Sequence, residues 1–533
     1  MEFAVDQALK TYSGGLGFLA GSHMKSAFDE RQNLIGIGVL WKYGYYDQTR
    51  HADNSMGVEF REKMYSFLQD TDVRFTINIA GRPVWVQAYY LDPKHFNTVP
   101  MFFLTTDVNG NDTEARSISY RLYDADSSMK VSQCMLLGLG GAKFLDQINY
   151  QPEVYHLNEA HAVSAAFHLY QTLGSAAAIR ERMVFTTHTP EEAGNEKHDI
   201  GFLNKLGFFG GLSLDQVGEI TGINDSIFNH SLAALRLSRK ANGVSKLHGE
   251  VSRRMWGNYP AICEITHVTN AQNSRYWADS QLEAARQAGD STMIAARKKA
   301  LKQPLFNIIA DQVGKLFDPN VLTMVWARRF AAYKRPDLLT HDGERFRRLM
   351  NNRDYPLQMV WAGKPYPFDE GAIRTFDHLY YLSHLYPRMA VLTGHELALS
   401  KALKDGADLW LNTPIVPREA SGTSGMTAAM NGAINVSTND GWICEFAKAG
   451  TAPVDRPDRA GSDQNSFIVP EASEGNPDAH DREHLFQLLE ETILPMYYDR
   501  PADWQALQLR SMSDVNAYFT SARMVREYYE KVY

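Results

Sequence analysis

The stretch VLTMVWARRFAAYKRPDL, Val321 to Leu338, decides the fold. It opens on an unbroken run, Val321–Ala327, and then places Arg328, Arg329, Lys334 and Arg335 within eight positions. A strand with no polar face is buried on both sides, as in a parallel sheet covered by helices. The cations that follow therefore sit at the strand's C-terminal end, the edge where open α/β sheets bind ligands. Guanidinium forks and a lysine point charge suit phosphate oxygens. A solvated helix start would explain a lone basic run, but not its place at a strand end.

Working outward, similar apolar runs recur at Leu357–Ala362, Ala390–Thr393, Ala407–Leu411 and Ala433–Val436. Helical patterns, Asp279–Gln303 and Gly394–Asp405, lie between them. The first half repeats the alternation, with strands expected at Leu34–Leu40, Val73–Ile79, Val84–Tyr90, Met101–Leu104, Val154–Asn158, Met183–Thr187 and Ile265–Thr269. The fold class is α/β, with two Rossmann-like domains facing each other across a cleft. The expected boundaries are 1–272, a helical connection over 273–318, and 319–533. Closely spaced strands near 71–104 predict a β-meander inserted in the first domain. The final helical pattern, Ser511–Tyr533, has no strand after it and packs back across one of the domains. The Pro-, Asp-, Gly- and Ser-rich run 452–475 reads as a mobile surface loop. Only Phe3–Val5 remains of a strand before the first glycine turn, so the first domain reads as N-terminally short.

A chain of 533 residues exceeds one hydrophobic core, in line with two domains. No apolar run approaches the roughly 20 residues of a membrane span, and no signal peptide is visible. Three widely separated cysteines, Cys134, Cys263 and Cys444, read as reduced thiols of a cytoplasmic protein. A net charge of −8 without a basic tract argues against nucleic acid as a partner.

Two further turns carry chemistry. TYSGGLGFLAG, Thr11 to Gly21, puts Gly14 and Gly15 before a helical pattern, which is a phosphate cradle or a tight strand-to-helix turn. EASGTSGM, Glu419 to Met426, packs Ser421, Gly422 and Thr423 into a second turn at a helix start. Polar clusters end strands in the first half: HLNEAH, with Glu159 and His161; TTHTPEEAGN, with His188; and HVTNAQNSRYW, with Asn270. Amide, imidazole and carboxylate groups of this kind suit a polyhydroxylated ligand. The His and acidic spacings match no zinc pattern, and no metal is expected.

These segments resemble the α-glucan (glycogen, starch and maltodextrin) phosphorylases over nearly the whole chain. The likeness is strongest to the shorter bacterial branch, in LRLSRKANGVSKLHGEVSRRMW (Leu235–Trp256), ARRFAAYKR (Ala327–Arg335) and EASGTSGM. The resemblance implies a GT-B fold and reversible, retaining phosphorolysis of α-1,4-glucan to glucose 1-phosphate in the interdomain cleft. The implied partners are an α-glucan and phosphate, with homodimers common in the family. It also implies that Arg329 and Lys334 grip the substrate phosphate, with Gly14 and Gly15 in the loop beside it. Glu419, Asn270, Ser421 and the main chain at His188 would bind the transferred glucose, and Gly422 and Thr423 the phosphate of pyridoxal phosphate, the family cofactor.

One departure is specific. The family places a cofactor-binding lysine where this chain has Thr427, which has no amine and forms no Schiff base. A second is His395, aligned with the family's tyrosine against the cofactor ring. Covalent pyridoxal phosphate is therefore expected to be absent. Besides phosphorolysis, the pattern leaves open transfer from a nucleotide sugar, or a silent glucan-binding homologue. A nicotinamide dehydrogenase is excluded, because no acidic residue follows a second strand after the glycine turn.

Overall fold

Helix Gly15–Asp29 (α1) begins at the first glycine turn and is buried from Gly17 to Ala27. A Cβ on Gly21 would lie 1.9 Å from the Ala4 carbonyl oxygen, so only glycine lets the N-terminal segment lie along this helix. The computed structural model describes residues 1–448, 463–472 and 475–533. Contacts divide the chain into two units: Met1–Tyr46, Phe60–Asn270 and Ala522–Tyr533 form unit 1, and Asp47–Glu59 and Ala271–Ser521 form unit 2.

Unit 1 holds two four-stranded sheets and a short antiparallel pair, Lys197–Asp199 with Ile227–Asn229. Strands Gly36–Val39 (β1), Leu68–Ile79 (β2), Arg82–Leu91 (β3) and Met101–Thr105 (β4) lie in the order β1-β4-β3-β2. Here β2, β3 and β4 form an antiparallel meander, and β1 joins it parallel to β4. Helix Ser127–Gln147 (α2), capped by Asp126 accepting the Met129 N–H, packs on this sheet. The second sheet is wholly parallel, with Tyr155–Asn158 (β5), Met183–Thr186 (β6), Lys240–Gly243 (β7) and Glu264–His267 (β8) in the order β8-β7-β6-β5.

The expected final helix is two, Pro501–Tyr518 and Ser521–Lys531. The last segment belongs to unit 1, where Tyr528 Oη accepts from Asn242 Nδ2 at 3.2 Å and Tyr533 Oη meets His156 Nδ1 at 2.7 Å.

Unit 2 is built on one six-stranded parallel sheet. Its strands are Leu322–Ala327 (β9), Leu357–Ala362 (β10), Met389–Leu392 (β11), Leu409–Asn412 (β12), Ile434–Thr438 (β13) and Phe467–Val469 (β14). They lie in the order β11-β10-β9-β12-β13-β14. All six residues of β9 and of β10 are buried, as unbroken apolar runs require. Helix Ser291–Val313 (α3) drives Leu305, Phe306 and Ile309 into a core with Val325, Val360, Leu403 and Trp410. Helices Leu397–Gly406 (α4) and Ser424–Met430 (α5) complete the part of the unit that bears the site.

The units depart from a division at 272 and 318. Residues 47–59 go with unit 2, and the segment read as a connection supplies α3 to unit 2's core. Of the run 452–475, residues 452–462, 473 and 474 lie outside the described residues, while Phe467–Val469 is strand β14 rather than loop. No strand forms at Phe3–Val5. Among the described residues, no helix is long and apolar enough to cross a membrane.

Candidate active site

In unit 2 the sheet reverses its winding between β9 and β12, the first and fourth strands of the unit, and open α/β sheets bind ligands at the C-terminal side of such a point. The residues leaving β9 and β12 there are Arg328–Lys334 and Thr413–Glu419. Arg328 Nη2 and Lys334 Nζ each lie 2.8 Å from Glu419 Oε2, with Arg328 and Lys334 buried and Glu419 partly buried. Burial alone would raise the Glu419 carboxyl, but the Arg328 and Lys334 charges bring it down to about 2. Gly363 allows β10 to end against this corner, since a Cβ there would sit 1.9 Å from the Arg328 carbonyl oxygen.

The EASGT turn is fixed by its neighbours. Asp440 Oδ2 accepts the Glu419 N–H at 2.8 Å, and the Ser421 carbonyl accepts the Trp442 N–H at 2.8 Å. Gly422 takes φ +86°, so the chain doubles back beneath Arg328. At this turn three buried polar atoms have no hydrogen-bond partner among the described residues: Arg328 Nη1, Ser421 Oγ and Asp440 Oδ1. A guanidinium N–H and a hydroxyl left over at one turn are what an anionic, polyhydroxylated ligand would satisfy.

The four cations therefore play different parts. Arg328, not singled out from sequence, joins Lys334 on Glu419, whereas Arg329 is exposed. Arg335 is structural, spending its donors on Thr413 O, Pro414 O, Asp478 and Asp481. Asp440 was also missed. Its only signal was the carboxylate in TNDGW, one strand beyond the turn.

The turn leaves donors unpartnered but offers no amine at residue 427. Thr427 is buried on α5 and its Oγ1 donates to the Ser424 carbonyl at 3.0 Å. The unpartnered donors fit the phosphate of pyridoxal phosphate beside Gly422 and Thr423, while position 427 cannot hold its aldehyde. His395 is buried just before α4, and burial, with Lys404 and Lys364 adding to it, lowers its ring to about 3, so it is neutral.

Unit 1 places its polar residues at the C-terminal ends of β5, β6 and β8. Glu159 holds φ +65°, a left-handed conformation that costs energy outside glycine. Its Oε1 accepts the His188 N–H at 2.5 Å and the Thr189 hydroxyl at 3.0 Å. Burial raises this carboxyl to about 7 despite those bonds. The His188 ring, lowered to about 3 by burial, pairs through Nε2 with Asn158 Oδ1 at 2.6 Å. His161, likewise lowered to about 3 by burial, keeps Nδ1 unpartnered, as Asn270 keeps Oδ1. At the glycine turn, the Ser13 and Gly14 N–H groups are spent on Glu2 Oε2, at 2.7 and 3.2 Å, so Gly14 does not offer its N–H to a ligand. Among the described residues, no group of three His, Cys, Asp or Glu is placed to hold a metal ion.

The carbohydrate phosphorylase profile matches residues 280–452, which include α3, β9–β13 and the EASGT turn. The chain is 42% identical to an uncharacterized protein of Methanocaldococcus jannaschii, over all of this chain and 98% of the other. It is 28% identical to the glycogen phosphorylase of Aquifex aeolicus, over all of this chain and 85% of that protein. It is 30% identical to the maltodextrin phosphorylase of Thermococcus litoralis, over all of this chain and 70% of that enzyme. With that identity sustained from end to end, the chain belongs to the carbohydrate phosphorylase family.

Proposed function

We propose that the protein transfers glucosyl units between an α-1,4-glucan and phosphate, giving glucose 1-phosphate with retained configuration. The observation that carries the reading is the Arg328–Glu419–Lys334 cluster at the winding reversal of unit 2, with Arg328 Nη1 and Ser421 Oγ left over. In this reading Lys334 and Arg329 hold the substrate phosphate, and Glu419, Ser421, Asn270 and the main chain at His188 hold the glucose, in a GT-B cleft. Pyridoxal phosphate, where bound, supplies a second phosphate that relays the proton, and Gly422 and Thr423 would cradle it without a link through residue 427. Fixed donors aimed at developing charge are worth several kcal/mol in such a site.

The test is glycogen with inorganic phosphate, following glucose 1-phosphate, and the reverse extension of maltodextrin. Release of glucose 1-phosphate supports the reading. A second reading, transfer from a nucleotide sugar, is favoured by Thr427, because a diphosphate could use the same donors without any amine. Extension of maltodextrin by UDP- or ADP-glucose, with no response to glucose 1-phosphate, would replace the first reading with the second.

A further inference from the structure

The parallel sheet of unit 1 has a second edge that the chemistry above does not use. Glu159, His188 and Asn270 follow the C-terminal ends of its strands. At the N-terminal edge lies a cavity of about 840 Å³, lined by residues that lead into β5, β6, β7 and β8. Three guanidinium groups line it. Arg180 and Arg182 close the helix Ala176–Arg182, which runs into β6, and Arg239 is the residue before β7. A helix C-terminus favours basic residues in its last turn, which accounts for the first two. It does not account for a third arriving from a separate segment.

Two of the three groups are anchored. Arg239 Nη1 donates to the Glu181 carbonyl at 2.6 Å, and Arg180 Nη2 donates to the Ala261 carbonyl. One anchor each leaves most of a guanidinium's five N–H donors uncommitted. Among the described residues, Arg182 makes no side-chain hydrogen bond, and none of the three arginines is in an ion pair. Glu153 and Glu181 also line the cavity, both exposed and neither paired with the arginines.

Volume and lining set the class of ligand. A bare inorganic anion would fill only a small part of the cavity, whose size lies within the ordinary range of small-molecule sites. Guanidinium forks match phosphate oxygens. Exposed carboxylates accept hydrogen bonds from hydroxyl groups, and Pro152 and Ile262 offer apolar wall to a carbon frame. We propose that this cavity of unit 1 binds a hydroxyl-bearing phosphate ester, a sugar phosphate or a nucleotide, with Arg180, Arg182 and Arg239 holding the phosphate. The site shares no residue with the Arg328–Glu419–Lys334 cluster and is independent of glucosyl transfer.

Binding to the whole chain is measured by calorimetry with ribose 5-phosphate, ADP, ribose and inorganic phosphate. At least one of the two esters should bind about tenfold more tightly than inorganic phosphate or ribose, and the tighter ester tells a sugar phosphate from a nucleotide. Arg182→Ala should weaken that ester by about tenfold or more, the loss of one charge-assisted contact. It should melt as wild type does, since its side chain anchors no other part of the described chain. Arg329→Ala, which alters the phosphate site proposed in unit 2, should leave this binding unchanged. Binding of neither ester, equal binding of inorganic phosphate or ribose, unchanged affinity in Arg182→Ala, or loss of binding in Arg329→Ala would each overturn the inference. Glucan takes no part in the measurement, so failure here leaves the phosphorolysis reading standing.

Discussion

Asp440 accepts the main-chain N–H of Glu419 at 2.8 Å, so one buried acid is the seat of another. Glu419 is held low by two cations, whereas Asp440, left mainly to burial, is raised to about 7. The two acids, linked through a main-chain hydrogen bond, thus titrate in different pH ranges, and each can be read by its own titration.

For Asp440 the sign is fixed by its raised value. Below the ordinary aspartate range the carboxyl is protonated folded or unfolded, and no stability depends on it. As pH rises through about 7, ionising it in the folded protein costs energy that the unfolded chain is spared. The melting temperature of wild type relative to Asp440→Asn should therefore fall between about pH 4 and pH 7 and then level off. A difference that does not vary with pH would show that Asp440 is ionised throughout.

Arg328 and Arg329 are adjacent in sequence, but their replacement should have separable effects. Arg328→Ala removes one of two cations from a buried carboxylate, at a cost of about 3 kcal/mol, or on the order of 10 °C in melting temperature. Arg329→Ala removes an exposed charge and should leave melting nearly unchanged. Both should lower glucosyl transfer by about a hundredfold, if both serve the phosphate. Melting curves and initial rates on the two variants decide this. Full activity in Arg329→Ala would confine the phosphate contacts to Arg328 and Lys334.

Glu159 gives a test in unit 1. Its carboxyl, raised to about 7 by burial, is ionised at pH 8 at a cost, and at about pH 4 it is protonated folded and largely so unfolded. Glu159→Gln keeps an acceptor for the His188 N–H and removes the charge. Its melting temperature should exceed wild type by roughly 2–4 °C at pH 8 and match it at about pH 4. A variant that is less stable at pH 8 would mean that the negative charge itself is needed to hold the His188 loop.

The sheets were legible wherever a strand is apolar through its length. Val321–Ala327 and Leu357–Ala362 announced β9 and β10 almost to the residue, because burial on both faces leaves each run apolar but for one residue, Thr323 or Gln358. Strand β7, Lys240–Gly243, was not legible, since KANG has no β-branched residue and is a strand only through its neighbours β6 and β8. The choice between Arg328 and Arg329 was equally closed to sequence. Which of two consecutive side chains turns inward at a strand end depends on where Glu419 arrives, 91 residues later. Asp440 belongs to the same class, because nothing in TNDGW says that its carboxylate reaches back 21 residues to a main-chain N–H. That residue 427 carries no amine is, by contrast, read directly from the sequence.

The segment 522–533 completes unit 1 through Tyr528 and Tyr533, yet a ribosome makes it only after all of unit 2. Domains that are contiguous in sequence close in the order of synthesis. Here the first half of the nascent chain must wait, with His156, Thr186 and Asn242 lacking their phenolic partners, until more than 250 further residues have emerged. Unit 1, although most of it is translated before unit 2, is therefore the unit that closes later.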